Sequence, residues 1–278
     1  MIRRLLLVFV ALRMGSATAA EPRQVRIEPV RFLRSTGCKS SSCHGGAGEK
    51  RSQFITWTRR DIHTRGYATL TNARSERIAA ALDLPPRQDG VSAAPTSARC
   101  TVCHSPFQAV APTQLASSAD PTESVSCESC HGAAGSWLRG HTRPDWTYAT
   151  RVGAGMRDLK SLYVRANICV ACHQNLGSDI AAAGHPPLVF ELDSQSVAEP
   201  KHWRDPEESG IRAWLTGQAV ALRELSWHLA TNPKPHEDAL MQWRALAWLL
   251  DSVTATERTL VQVEAGGDFS RVQHRLTH

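Results

Sequence analysis

The chain has 278 residues, of which 42% are hydrophobic, with a formal net charge of +6, eight cysteines and twelve histidines. Its basic balance includes no Arg/Lys cluster and no recognised nucleic-acid motif, so nucleic acid is excluded as a partner class. Only six phenylalanines and three tyrosines are present, little aromatic mass for a core of this size.

Met1 to Ala20 reads as an export signal. Arg3 and Arg4 form a positive start, Leu5 to Leu12 an apolar run, and Thr18–Ala19–Ala20 a small-residue cleavage site. The apolar run is too short to span a bilayer as a helix, so no transmembrane segment is expected after cleavage. Removing Arg3, Arg4 and Arg13 takes the net charge from +6 to +3.

Glu21 to Ser35 reads as an extended lead-in. Then comes Cys38–Lys39–Ser40–Ser41–Ser42–Cys43–His44, two cysteines with four residues between them and a histidine directly after. Gln53 to Leu70 has helical spacing and carries Asp61–Ile62–His63. Ala73 to Leu84 reads as a second helix stopping at Pro85–Pro86, and Arg87 to Arg99 as a loop. Cys100–Thr101–Val102–Cys103–His104 follows.

Pro112 to Ser126 is again loop-like and leads to Cys127–Glu128–Ser129–Cys130–His131, with Trp137 and His141 beyond. Met156 to Asn167 is a helical candidate that delivers Cys169–Val170–Ala171–Cys172–His173. After His185–Pro186–Pro187, Leu188 to Leu192 reads as a short strand or extended apolar run. Gly210 to Ala230 and Glu237 to Val263 are the two long amphipathic patterns, broken at Asn232–Pro233, and predict a helical hairpin.

C-x-x-C-H is the attachment pattern of c-type haem: two thiols bond the porphyrin and the histidine becomes the proximal iron ligand. Here it occurs three times, with a stretched fourth version, and consumes every cysteine. Disulfides are one rival in an oxidising compartment and structural zinc another; neither requires a histidine at the same adjacent place each time. Four covalently bound haem c groups are expected on Cys38, Cys43, Cys100, Cys103, Cys127, Cys130, Cys169 and Cys172, with His44, His104, His131 and His173 beneath the irons. Haem would supply the missing apolar mass, and its propionates add negative charge that composition omits.

The other eight histidines are candidates for the sixth ligand. His63, His141 and His185 are the first choices. His141 lies too close to His131 to cross the same haem and more naturally serves a neighbour. For the fourth haem the candidates are His202 and His228, each alternatively a packed histidine; His236, His274 and His278 rank lower.

Trp57 to Leu70 (WTRRDIHTRGYATL) and Cys127 to His141 (CESCHGAAGSWLRGH) resemble the cytochrome c554 family, over a stretch from about Cys38 to His185. That family is tetrahaem and related in haem packing to hydroxylamine oxidoreductase and pentahaem nitrite reductase. The resemblance implies haems in near contact and distal ligation by the histidines matching His63 and His141. The four-residue spacer of the first site departs from the C-x-x-C-H pattern.

The expected fold is mainly α: short helices and loops wrapped around four haems, plus a C-terminal helical hairpin. The expected division is a signal peptide at 1–20, a tetrahaem-binding domain at 21–205, the hairpin at 206–265 and a tail at 266–278. The leading function is a periplasmic cytochrome passing single electrons between redox partner proteins, such as a membrane quinol oxidase or a terminal reductase. The alternative is a small multihaem oxidoreductase in which one five-coordinate haem acts on a nitrogen or sulfur oxyanion, nitric oxide or hydroxylamine.

Overall fold

The computed structural model describes residues 31–85, 92–116, 120, 122–203, 210–235 and 237–253. The expected signal peptide and tail, and with them His236, His274 and His278, lie outside the described residues. The fold is mainly helical. Eleven α-helices are described: α1 (Gln53–Arg60), α2 (Gly66–Thr69), α3 (Ala73–Ala81), α4 (Ala98–His104), α5 (Cys127–His131), α6 (Tyr148–Gly153), α7 (Leu162–His173), α8 (Ser178–Ala182), α9 (Leu192–Ala198), α10 (Gly210–Thr231) and α11 (Glu237–Val253). Among the described residues the only β-pairing is an isolated parallel bridge between Phe32 and Leu115.

Boundaries differ from the sequence expectation where polar side chains intervene. The run expected from Gln53 to Leu70 breaks at Asp61, whose extended backbone and side-chain bond to the His63 N–H start a separate 3-10 turn over Ile62–Arg65. The helix expected from Met156 begins only at Leu162. Asp158 Oδ1 accepts from the Lys160 and Ser161 N–H groups at 3.1 and 3.2 Å, and the Ser161 hydroxyl caps α7. Residues Leu188 to Phe190 form no strand, and Leu192 already opens α9.

The apolar core gathers in the C-terminal half. On α10, Leu222, Leu225 and Leu229 recur at helical spacing and pack on Trp243, Ala247 and Leu250 of α11, which forms the expected hairpin. The Trp243 indole donates to the Ser226 hydroxyl at 2.8 Å inside that contact. The next face of α10, with Val220 and Ala221, covers Ala166 and Val170 of α7 and Phe190 and Leu192 around the start of α9. Gly217 permits this approach, since a Cβ there would stand 2.8 Å from the Leu192 Cβ. The largest apolar surfaces thus hold α7, the helix that ends in the fourth motif.

The N-terminal half has only a small cluster of Leu70, Ala79 and Ala94. A buried polar network joins it instead. Glu128, 1% exposed, accepts the backbone N–H groups of Leu33, Arg34 and Ala134. Arg34 pairs with Glu123 at 2.9 Å, and Glu123 also accepts from Ser35 N–H and from the Ser126 hydroxyl. The lead-in to the first motif is therefore fastened to the third.

Candidate functional site

Three motifs sit on helices. Each of α4, α5 and α7 ends on its C-x-x-C-H histidine. On a helix, positions i, i+3 and i+4 share one face, so both thiols and the imidazole leave the same side.

The stretched first motif is a turn. Cys43 N–H bonds Ser40 O at 2.9 Å and His44 N–H reaches back to Cys38 O at 3.2 Å. The two extra residues are absorbed in the Ser40–Ser42 bulge, which leaves Cys43 exposed. Gly45 is required below it: a Cβ there would lie 1.9 Å from the Lys39 carbonyl oxygen.

Each motif histidine faces one histidine from elsewhere in the chain. His44 faces His141 with ring centroids 6.0 Å apart, and His63 faces His173 at 6.1 Å. His104 faces His185 at 6.3 Å and His131 faces His202 at 6.4 Å. Two imidazoles bound to opposite sides of one metal ion, each nitrogen about 2 Å from it, have centroids about 6 Å apart. Among the described residues His228 has no histidine opposite; its Nε2 meets Asn232 at 3.5 Å and it is half-buried on α10.

The Nδ1 atoms of most of these rings have hydrogen-bond partners. Those of His141, His185 and His202 donate to the carbonyls of Leu138, Pro186 and Pro200. His104 donates to Gly66 O at 3.2 Å, His44 to Gln53 Oε1 at 3.1 Å, and His63 to Asp61 Oδ1 at 2.9 Å. Such bonds fix the tautomer that leaves Nε2 for a metal. Gln195 Nε2 donates to Val189 O at 2.9 Å and stands 3.4 Å from His173 Nδ1.

Electrostatics agree with neutral, metal-ready imidazoles. Burial first, and then the nearby His202, His44, Arg157 and His141, pull His131 down to about 4. Burial also lowers His104 and His173. His63 is the exception: its bond to Asp61 raises it.

Two pairs of thiols lie in contact across motifs. Cys38 bonds Cys127, which draws Cys38 down and Cys127 up. Cys103 bonds Cys172 and is drawn down to about 7. Burial, and after it the charge of Glu199, pushes Cys130 up to about 12 and Cys169 up to about 11, and Cys169 adds to the rise at Cys130. Further buried donors without an acceptor are Arg34 Nη2, Trp137 Nε1 and Arg151 Nε, suited to the carboxylates that haem carries. The residues present fit the group.

Asp61, His63 and Glu199 bring ligand atoms within 4.8 Å of one another, but His63 Nδ1 is already engaged by Asp61. Tyr163 accepts from Arg223 at 2.9 Å and Tyr148 donates to Asp158, which gives both phenols structural partners. Sequence reasoning did not single out Glu128, Gln53, Gln195 or Glu199. Asp61, two residues before His63, was legible in the sequence as a partner for that imidazole; the others carry no local signal.

Comparison with known families finds one match: the family model described as Cytochrome c554 and c-prime covers residues 37–132, which include the first three motifs. No curated protein and no solved structure matches. Among the described residues no helix is long and apolar enough to cross a membrane.

Proposed function

We propose, starting from residues 37–132 as a cytochrome c554 family segment, that this protein is an exported tetrahaem electron carrier in which every iron has two histidine ligands. Covalent haem c and a role in electron transfer follow from the family. The number of haems, their ligands and the periplasmic setting are the reading argued here.

The observation that carries it is the fourfold opposition of a motif histidine to a non-motif histidine at 6.0–6.4 Å. In this reading His141, His185, His202 and His63 complete the sites of His44, His104, His131 and His173. When bound, haem supplies a one-electron couple between ferric and ferrous iron. The chain's own residues then hold the imidazoles in one tautomer, exclude water from the iron positions and keep the groups close together.

The thiol contacts give the order. Cys38 meets Cys127, Cys130 neighbours Cys169, and Cys172 meets Cys103. Attachment sites one, three, four and two therefore form a line, with the exposed Cys43 turn at one end. A redox partner protein would dock transiently over a small area at such an end. The oxidoreductase alternative needs a motif histidine with no imidazole opposite, and all four are paired.

The test is a low-temperature spin-resonance spectrum of the oxidised, haem-loaded protein together with its intact mass. Only low-spin signals and the mass of four attached haems are expected. A high-spin component responsive to nitric oxide would overturn the carrier reading in favour of the oxidoreductase.

A further inference from the structure

The Nδ1 hydrogen bonds of the paired histidines are unequal. Those of His141, His185, His202 and His104 end on backbone carbonyls, and His44 ends on an amide oxygen. His63 alone among them ends on a carboxylate. Asp61 is 5% exposed, and its Oδ1 accepts from both the Nδ1–H and the backbone N–H of His63, each at 2.9 Å.

The bond is held from several directions. Asp61 N–H donates to Trp57 O at 3.1 Å at the end of α1, and Asp61 O accepts the Thr64 hydroxyl at 2.7 Å. The carboxylate thus sits at a fixed joint between two helical turns, and the His63 ring is held at 90° to that of His173. A second carboxyl group, Glu199, lies within the same cluster.

An imidazole whose Nδ1–H is bonded to a carboxylate is a more basic ligand than one bonded to a carbonyl. A more basic ligand stabilises the ferric state, and axial ligation with its hydrogen bonding is one of the levers that sets a haem potential. We infer that Asp61 is a positioning residue that fixes His63 and draws the haem held between His63 and His173 to a more reducing potential. The inference rests on the reading of His63 as a ligand.

The experiment is a dithionite titration of the whole haem-loaded protein, each ferric iron taking one electron from the reductant. It is run on unaltered protein and on the D61N, D61E and H63M variants. H63M exchanges a nitrogen for a thioether, which raises a haem potential, and so marks which reduction step belongs to this haem. D61N should move that same step upward by about tenfold in the ferric/ferrous ratio, about 59 mV for one electron, and leave the other steps in place.

D61E keeps a carboxylate and should return the step toward its original position. If H63M moves one step and D61N and D61E move none, the role assigned to Asp61 is wrong while His63 stands as a ligand. If D61N moves a different step from H63M, the role is equally wrong. If H63M moves no step, His63 is not a ligand and the inference falls with that reading.

Discussion

Glu128 offers the sharpest test of how the attachment sites are held in register. It occupies a variable position inside the third motif, yet its carboxylate is buried and takes three backbone N–H groups from two other segments. The change Glu128→Gln keeps the volume but replaces one oxygen with an NH2. One oxygen serves Leu33 and Ala134, the other Arg34, so the amide must face at least one backbone N–H with a donor. A hydrogen bond to a charged group contributes about 1.5–3 kcal/mol, and an unmade buried one costs about 1–3 kcal/mol. Removing a buried charge offsets part of this, the same burial that raises the Glu128 carboxyl above its ordinary range. The net loss is about 2–3 kcal/mol. With a guanidinium slope of about 4 kcal/mol per molar, the midpoint should fall by about 0.6 M. The assay follows helix dichroism and haem absorbance together in the haem-loaded protein. A midpoint within about 0.1 M of the unaltered protein would refute the clamp.

Three other outcomes are expected. His202→Ala should convert the haem at His131 to a high-spin form in the spin-resonance spectrum, whereas His228→Ala should leave every signal low-spin, because only His202 has a motif imidazole opposite it. Gly217→Ala gains about 1 kcal/mol of helix propensity but brings a Cβ to 2.8 Å from Leu192; overpacking of about 1–3 kcal/mol should win and lower the melting temperature. At Glu191, burial pushes the carboxyl up, but the Ser194 hydroxyl and the N–H groups of Ser194 and Asp193 more than offset it and hold it below its ordinary value. Its contribution to α9 is therefore present above the unfolded value of about 4.3 and lost as pH falls through the lower folded one. Glu191→Gln should flatten that acid loss in a series of melts, with about 1 kcal/mol missing at neutral pH.

The local chemistry of the sites was legible because it is written locally. A thiol pair and an imidazole on one helical face need only five adjacent residues, and three of the four motifs form such a face. Helix ends were less legible. The start of α7 depends on Asp158 competing for the N–H groups of Lys160 and Ser161, and hydrophobic spacing does not register that competition. The choice between His202 and His228 was not legible either. Each neighbours a tryptophan, and His202 differs only in standing where the chain leaves α9 beside the third motif.

The pairing itself shows why the rest stayed hidden. No non-motif histidine faces the motif nearest to it in sequence: His63 crosses to His173, His141 to His44, His185 to His104 and His202 to His131. Every pair closes more than seventy residues of chain. Closing such a loop carries an entropy cost that grows with its length. The two larger apolar clusters secure α7, α9, α10 and α11, while the small one reaches Ala79 of α3 and Cys100 of α4. In the proposed reading a metal held between each pair of rings would add to the Glu128 and Glu123 network in offsetting that cost, and the haem around it would fill space that few aromatic side chains are present to fill. The arrangement proposed to move electrons and one of the interactions that would close the fold are then the same, which is why neither can be read from any single stretch of the chain.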